Sequence, residues 1–273
     1  MNLTTNSLEF ELVYPDGDGK PMTESDPTRD YLIYAVESLN IYFQERSDVY
    51  VSGNLFIYYK QGVPDAVISP DVFVVFGVKK KKRRSYKVWE EGGVTPRFVL
   101  EITSRSTQEN DERDKPQKYR QLGVLEYFQY DPTGDYLQPP LKGSRLVEGG
   151  YQPIAATQTS ETSLTIYSQA LNLELRVTDG TLRFYAPQTG RPLLSHAETE
   201  QARQQAELER QQAELERQQA ELQRQREAEA RQQAELERQR EAEARRSAIP
   251  RLLALGLDAA QVAEALGIPI DEV

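Results

Sequence analysis

The sequence contains no cysteine, and only one histidine, one tryptophan and two methionines. Without cysteine there are no disulfides and no thiolate metal sites, and a reducing compartment is the expected setting. The single histidine, His196, opens a repetitive segment outside every motif described below, and no role is assigned to it. No apolar run reaches the length of a membrane span, and Met1-Asn-Leu-Thr-Thr-Asn lacks the basic and apolar blocks of a signal peptide. A soluble, cytoplasmic protein without membrane contact is expected. Positive charge is also short: the formal net charge is −10, which speaks against generic electrostatic capture of nucleic acid. The deficit is uneven, with 22 basic and 26 acidic residues in 1–195 against 11 and 17 in 196–273. The first part carries the dense basic run Lys79-Lys80-Lys81-Lys82-Arg83-Arg84, so any nucleic-acid contact has to be local.

What is present suffices for one well-cored domain and an extension: 273 residues, 9% of them aromatic. Ser25 and Asp26-Pro27 offer N-cap chemistry, and Tyr31, Tyr34, Ala35, Ser38, Leu39 and Tyr42 recur at helical spacing, which predicts an amphipathic helix from Thr28 to Gln44. The β-branched and aromatic stretch 49–59 predicts one or two strands. Residues 67–76, apolar on both faces, predict a central one. A strand from Arg97 to Thr103, a polar loop and a helix ending at Gly123 follow. Glu126-Tyr-Phe-Gln-Tyr130 reads as a strand closed by the turn Asp131-Pro-Thr-Gly134. Residues 144–185 read as hairpins, with Asp179-Gly180 a type I′ signal. The folded domain, 1–195, is thus expected to be α+β, with a mixed sheet flanked by helices.

From His196 the composition changes. The heptad Gln204-Gln-Ala-Glu-Leu-Glu-Arg210 repeats from Gln211, and with changes from Gln218 and Gln232. Strong helix formers in a seven-residue repeat predict a long helix over 196–247, about 75 Å if continuous from 197 to 246. Leu208, Leu215, Leu222 and Leu236 mark one seam position, while Gln211, Gln218, Gln225 and Gln232 occupy the other. Half the seam is polar, so the stretch reads as a weak coiled coil, a homo-oligomer or partner contact through 197–246, or a solvated single helix held by Glu/Arg pairs. Residues 248–273 read as a tail of two short apolar helices, 249–256 and 258–267.

The chemistry concentrates in Phe98-Val-Leu-Glu101-Ile-Thr103-Ser104-Arg-Ser106-Thr107. In an alternating strand Phe98, Leu100 and Ile102 share one face, and Val99, Glu101 and Thr103 the other. Burying an ionised carboxylate there costs several kcal/mol unless it is paired; a structural salt bridge is one reading of Glu101. Asp71, after Pro70, opens another apolar strand; alone it would read as a turn former. Two acids at the ends of adjacent strands cannot both ionise without a cation, and an all-oxygen set favours Mg²⁺ or Mn²⁺. Asp111, Lys115 and Tyr119 follow at helical spacing, with Pro116 confined to the first turn. A surface pair of Lys115 with Asp111 is the competing reading.

Pro70-Asp71, Phe98 to Thr107, Asp111, Lys115, Tyr119, Gly123-Val124, Glu126-Tyr127-Phe128 and Asp131-Pro132, in this order, resemble the Uma2 family of the PD-(D/E)xK nuclease superfamily over about residues 20–190. The resemblance implies a restriction-endonuclease-like fold, a magnesium-dependent phosphodiesterase site and DNA as substrate. Asp71 and Glu101 match the two metal-binding acids, and Ile102 would add its backbone carbonyl. The superfamily lysine two residues after the second acid is Thr103 here; the family pattern places it instead at Lys115. Tyr119 and Asp111 would support the site. Glu37 resembles the extra helix acid of some members, and Lys79–Arg84 is the candidate for DNA-backbone contact. The expected activity is metal-dependent DNA hydrolysis. The alternative is a catalytically lapsed nuclease-like binding or scaffold protein acting through its helical extension.

Overall fold

A computed structural model of the chain describes residues 13–17, 25–104, 110–160 and 162–273. It divides into two compact units, Met1–Glu200 and Gln201–Val273. The first begins with helix α1, Asp26–Tyr42, whose N-terminus is capped by Ser25 accepting from the Thr28 N–H. Its buried residues, Tyr34, Ala35, Ser38 and Leu39, are four of the six that the helical spacing singled out; Tyr31 and Tyr42 are only partly buried.

The stretch 49–59 forms two strands, β1 (Val49–Ser52) and β2 (Ile57–Tyr58). Residues 67–76, expected as one strand, are also broken, into β3 (Val67–Ile68) and β4 (Val72–Phe76). The break lies at Ser69-Pro70, where proline supplies no N–H to a ladder. The strand β5 (Tyr86–Lys87) precedes β6 (Phe98–Ile102); helix α2 (Lys115–Leu122) then leads to β7 (Glu126–Tyr130), β8 (Leu141–Val147) and β9 (Gly150–Pro153). Gly123 ends α2 at φ 72°, in the left-handed conformation that glycine adopts without penalty.

The central sheet has the order β1-β4-β6-β7-β8-β9. Within this sheet, among the described residues, β6 and β7 alone pair in parallel, and α2 is the crossover that joins them. Its neighbours pair antiparallel. A second, antiparallel sheet runs β10 (Ala156–Ser160), β11 (Ser163–Ser168), β12 (Leu173–Thr178), β13 (Thr181–Ala186) and β14 (Arg191–Pro192). Asp179 and Gly180, at φ 49° and 78°, make the tight turn between β12 and β13. A small third sheet has the order β3-β2-β5. The fold is α+β.

Strand alternation decides what each face of the central sheet carries. Val72 and Val74 of β4, and Phe98, Leu100 and Ile102 of β6, pack with α1 and the second sheet, through Ile166, Leu175 and Phe184. Phe73, Val75, Val99 and Tyr127 face the other way and pack with Tyr119 and Leu122 of α2 and with Ile57, Ile68 and Tyr86 of the third sheet. The central sheet is thus covered on both faces, which accounts for continuous apolar runs in β4 and β6.

Glu126, fully buried, ties the two large sheets together. Its Oε1 accepts from Arg145 Nη2 at 2.7 Å and from the Gln169 N–H at 3.0 Å, and its Oε2 accepts from the Ala170 N–H at 3.2 Å and from the Ser168 hydroxyl. One carboxylate therefore joins β7 and β8 to the turn between β11 and β12. Glu126→Ala should cost about 3–5 kcal/mol, the scale of breaking a buried pair by removing one partner. Urea denaturation reads this directly, and a loss under about 1 kcal/mol would contradict the assignment.

Helix α3 runs His196–Ala254, 59 residues, about 88 Å long. Leu208, Leu215, Leu222 and Leu236 are 47–55% exposed along it. The helix does not stop at 247: Pro250 lies inside it, so the segment starting at Ile249 continues α3 and is no separate helix. Proline removes one backbone bond, but the strong helix formers on either side carry the helix across. Helix α4, Ala259–Leu266, begins with a capping box between Asp258 and Gln261. Among the described residues no helix is long and apolar enough to cross a membrane.

Candidate active site

The β4–β6 register pairs Val72 with Leu100 and Phe73 with Val99. Continued by one residue it sets Asp71 opposite Glu101, on the α2 face at the end of the sheet. Backbone N–H groups link the two strand ends at the acids. Asp71 Oδ2 accepts from the Ile102 N–H at 2.7 Å, and the Asp71 N–H points at Glu101 Oε2 at 3.4 Å. Gly53 permits this arrangement. A Cβ there would lie 2.3 Å from the Asp71 carbonyl oxygen, so no larger residue fits behind the acid.

Glu101 is completely buried, and its carboxylate is held from α2. Lys115 Nζ donates to Oε2 at 2.7 Å, and the buried Tyr119 hydroxyl donates to Oε1. Lys115 is the first residue of α2 and Tyr119 lies one turn later, so one short helix face supplies both donors. Burial, then the Glu101 charge, push the Tyr119 phenol well above its ordinary value, which keeps it a donor. Burial first, and the negative charge of Glu101 second, push the Asp71 carboxyl well above the usual carboxylate range. The Lys115 ammonium and the Ile102 N–H offset this only in part. Two acids set against each other in a poorly hydrated corner form the kind of site whose charge a cation would relieve.

The sequence singled out residues that the structure distributes differently. Asp71, Glu101, Ile102, Lys115 and Tyr119 meet at one point. Ser106 and Thr107, and the Asp111 side chain, lie outside the described residues. Glu37 does not join them: it projects from α1, across the opposite face of the sheet, and accepts from the His196 N–H at 3.3 Å. The basic run does not join them either. It follows the far end of β4, about 20 Å along the strand from Asp71, and several of its charges are already engaged. Arg83, 4% exposed, forks onto Glu91 at 2.9 and 3.0 Å and lies 4.2 Å over the Tyr50 ring. Lys81 reaches the same Glu91, Lys80 donates to the Phe43 carbonyl and Arg84 pairs with Asp16.

Two residues beside the site, Tyr136 and Gln129, were missed. The buried Thr103 stands where the plain superfamily pattern has lysine, and its hydroxyl is hydrogen-bonded to that of Tyr136. Tyr136 comes from the loop 131–140, which Asp131 organises by accepting from the N–H groups of Thr133, Gly134, Tyr136 and Leu137. Burial alone would raise the Asp131 carboxyl, but these donors outweigh it and hold the pKa below the ordinary value. Nothing in the sequence of such a loop announces which strand its tyrosine will reach. Gln129 is the second: it pairs with Glu101 across the parallel β6–β7 ladder. Its signal was legible, as the one polar residue between the aromatics of Glu126-Tyr-Phe-Gln-Tyr130.

A family model described as "Putative restriction endonuclease" matches residues 6–178, more than half of the sequence. The chain belongs to the Uma2 family. A solved structure described as a "putative nuclease" from Anabaena variabilis matches 52% of this chain and 75% of its own, at 12% identity and a TM-score of 0.36. No curated protein matches the chain. In this Uma2 protein the groups at the site that could hold a metal, the Asp71 and Glu101 carboxylates and the Ile102 carbonyl, offer only oxygen. Among the described residues no group of three or more His, Cys, Asp or Glu side chains surrounds a metal position. Such a set suits a hard cation that keeps waters and shares ligands with a phosphate, and does not suit zinc.

The raised Asp71 pKa carries a sign that can be checked. In the metal-free protein the folded state binds this proton more tightly than the unfolded chain does. The stability it contributes is therefore complete at low pH and is lost as pH rises from the unfolded carboxylate value through the raised folded one. Asn at this position can accept from the Ile102 N–H, donate to Glu101 and carry no charge. Asp71→Asn should therefore be more stable than the wild type at neutral pH in EDTA, with the gap closing towards about pH 4. Urea midpoints across that range test it; a variant less stable at neutral pH would refute the argument.

Proposed function

We propose that this Uma2 protein is a Mg²⁺- or Mn²⁺-dependent endonuclease of the PD-(D/E)xK type that hydrolyses DNA phosphodiesters. The observation that carries this reading is the juxtaposition of Asp71 and Glu101 on adjacent strands with the Lys115 ammonium 2.7 Å from Glu101. Asp71, Glu101 and the Ile102 carbonyl are the groups that would hold the ion. Bound there, it would supply Lewis-acid polarisation of the scissile phosphate.

The chain's own residues have separable roles. The Ile102 N–H fixes the Asp71 carboxylate, and Tyr119 fixes that of Glu101, so neither needs to reorganise as charge develops. Lys115 stands in for the lysine that the plain pattern places at Thr103. From the start of α2 it can orient the attacking water or donate to a phosphate oxygen. Because Pro116 sits directly after it in the first turn, its backbone is held and only its side chain is free to turn from Glu101 to the substrate.

One observation favours a second reading. Both Glu101 oxygens already accept hydrogen bonds from Lys115 and Tyr119, so Glu101 itself is satisfied as an ion pair without a metal. The same arrangement would suit a lapsed nuclease-like domain that binds and does not cut. Supercoiled-plasmid nicking with Mg²⁺ or Mn²⁺ separates the two. The active reading expects cleavage by the wild type, abolished by EDTA, and reduced about 10²- to 10³-fold in Lys115→Ala and at least as far in Asp71→Ala and Glu101→Ala. Cleavage that survives Glu101→Ala would remove the site assignment, and a wild type inert in both metals would favour the lapsed enzyme.

The leucine stripe of α3 is proposed as a self-association seam, weakened by its glutamine layers. Replacing Leu208, Leu215, Leu222 and Leu236 together by Gln in the full chain should lower the mass measured by light scattering and leave nicking unchanged. An unaltered mass would show that the stripe does not associate.

A further inference from the structure

The basic run that the sequence offers for DNA sits at the wrong end of β4, so the backbone contact near the acids has to come from elsewhere. The register of the central sheet names the place. Asp71 lies opposite Glu101, Glu101 pairs with Gln129, and Gln129 pairs with Lys142 at the start of β8. Directly paired residues share a face in parallel and antiparallel ladders alike. The four side chains therefore form one row, all on the face that carries α2. Packing on both sides of the row agrees with this. Tyr127, two residues from Gln129, packs in the α2 layer, while Leu141 and Gly143, which flank Lys142, turn towards the other layer, Gly143 beneath the Phe128 ring.

The Lys142 side chain is exposed, and its ammonium makes no ion pair or hydrogen bond with a described residue. It lies two strands from Glu101, about 10 Å away at the strand spacing. DNA phosphates advance about 3.4 Å along the axis per nucleotide of one strand, so a strand that runs along this row with its scissile phosphate at the acids would bring a phosphate a few nucleotides away to Lys142. Gln129 lies between and carries no charge to repel them. Positive charge at Lys142 favours a polyanion at this end of β8, beside the two acids.

Building on the nuclease reading, we infer that Lys142 is the backbone anchor of the site: it binds a phosphate a few nucleotides from the scissile one, without regard to base sequence, and positions the strand across Glu101. A lysine here acts as a point charge, so its contribution is electrostatic and salt-dependent.

The test uses the full chain and a fluorescent DNA duplex, with Ca²⁺ in place of Mg²⁺ so that binding is read without cleavage. Binding is measured over a series of salt concentrations for the wild type, Lys142→Gln, Lys142→Arg and, as a control at the far end of β4, Lys82→Gln. Lys142→Gln should reduce the slope of log affinity against log salt by about one. It should also raise KM for nicking several-fold with kcat little changed. Lys142→Arg should restore both, and Lys82→Gln should alter neither. An unchanged slope and KM in Lys142→Gln, with a wild type that binds and cuts, overturns the anchor and leaves the nuclease reading in place. The same holds if Lys82→Gln matches the effect of Lys142→Gln. A wild type that neither binds nor cuts DNA overturns both.

Discussion

One buried carboxylate, that of Glu101, constrains the rest of the first unit. It sits in the middle of an apolar strand with no solvent contact, where an unpaired ionised acid would be prohibitive. Its partners must therefore be delivered accurately: a lysine and a tyrosine one turn apart on a short helix, and the backbone of a neighbouring strand. The crossover after β6 has to bring α2 back over the sheet end, and Gly123 has to stop α2 in time for β7 to pair in parallel. Much of the local sequence from 98 to 130 makes sense as the means of holding that one group.

A comparison with Glu126 shows what distinguishes the two buried acids. Glu126 is on the opposite face, equally buried, and satisfied by an arginine, a serine and two backbone N–H groups. All of its partners are donors and none is another acid. It acts as a structural rivet between sheets. Glu101 is different because Asp71 is set against it, a like charge that raises the proton affinity of Asp71 and leaves the pair electrostatically incomplete. Burial alone does not point to chemistry. Burial beside a second acid does.

The distribution of positive charge follows a similar logic. Six consecutive basic residues look like a polyanion site in one dimension, but Arg83 is spent on Glu91 and the Tyr50 ring, and Arg84, Lys80 and Lys81 have partners of their own. These contacts stitch the loop onto the start of β1 and the third sheet. Lys142 drew no notice in the sequence, because an isolated lysine in a strand is unremarkable until its cross-strand neighbours are known.

What the sequence by itself determined is everything that depends on local periodicity and on residue chemistry. The span and buried face of α1, the two-faced apolar character of β4 and β6, the glycine stop of α2, the Asp179-Gly180 turn and the long heptad helix all follow from spacings of a few residues. So does the candidacy of Asp71, Glu101 and Lys115, since acids and a lysine at those points in a family-like order carry the signal in their identity. Only the tertiary structure decided what depends on which strand lies beside which. It broke 67–76 at Pro70, gathered 156–192 into a sheet of its own, carried α3 through Pro250, and sent Glu37 to the opposite face. It also brought Tyr136 to Thr103 and Lys142 into the row of the acids. Register and layer are pairings between residues far apart in sequence. A chain read in one dimension carries the rules for such pairings but not their outcome, because that is settled by the packing of the whole sheet.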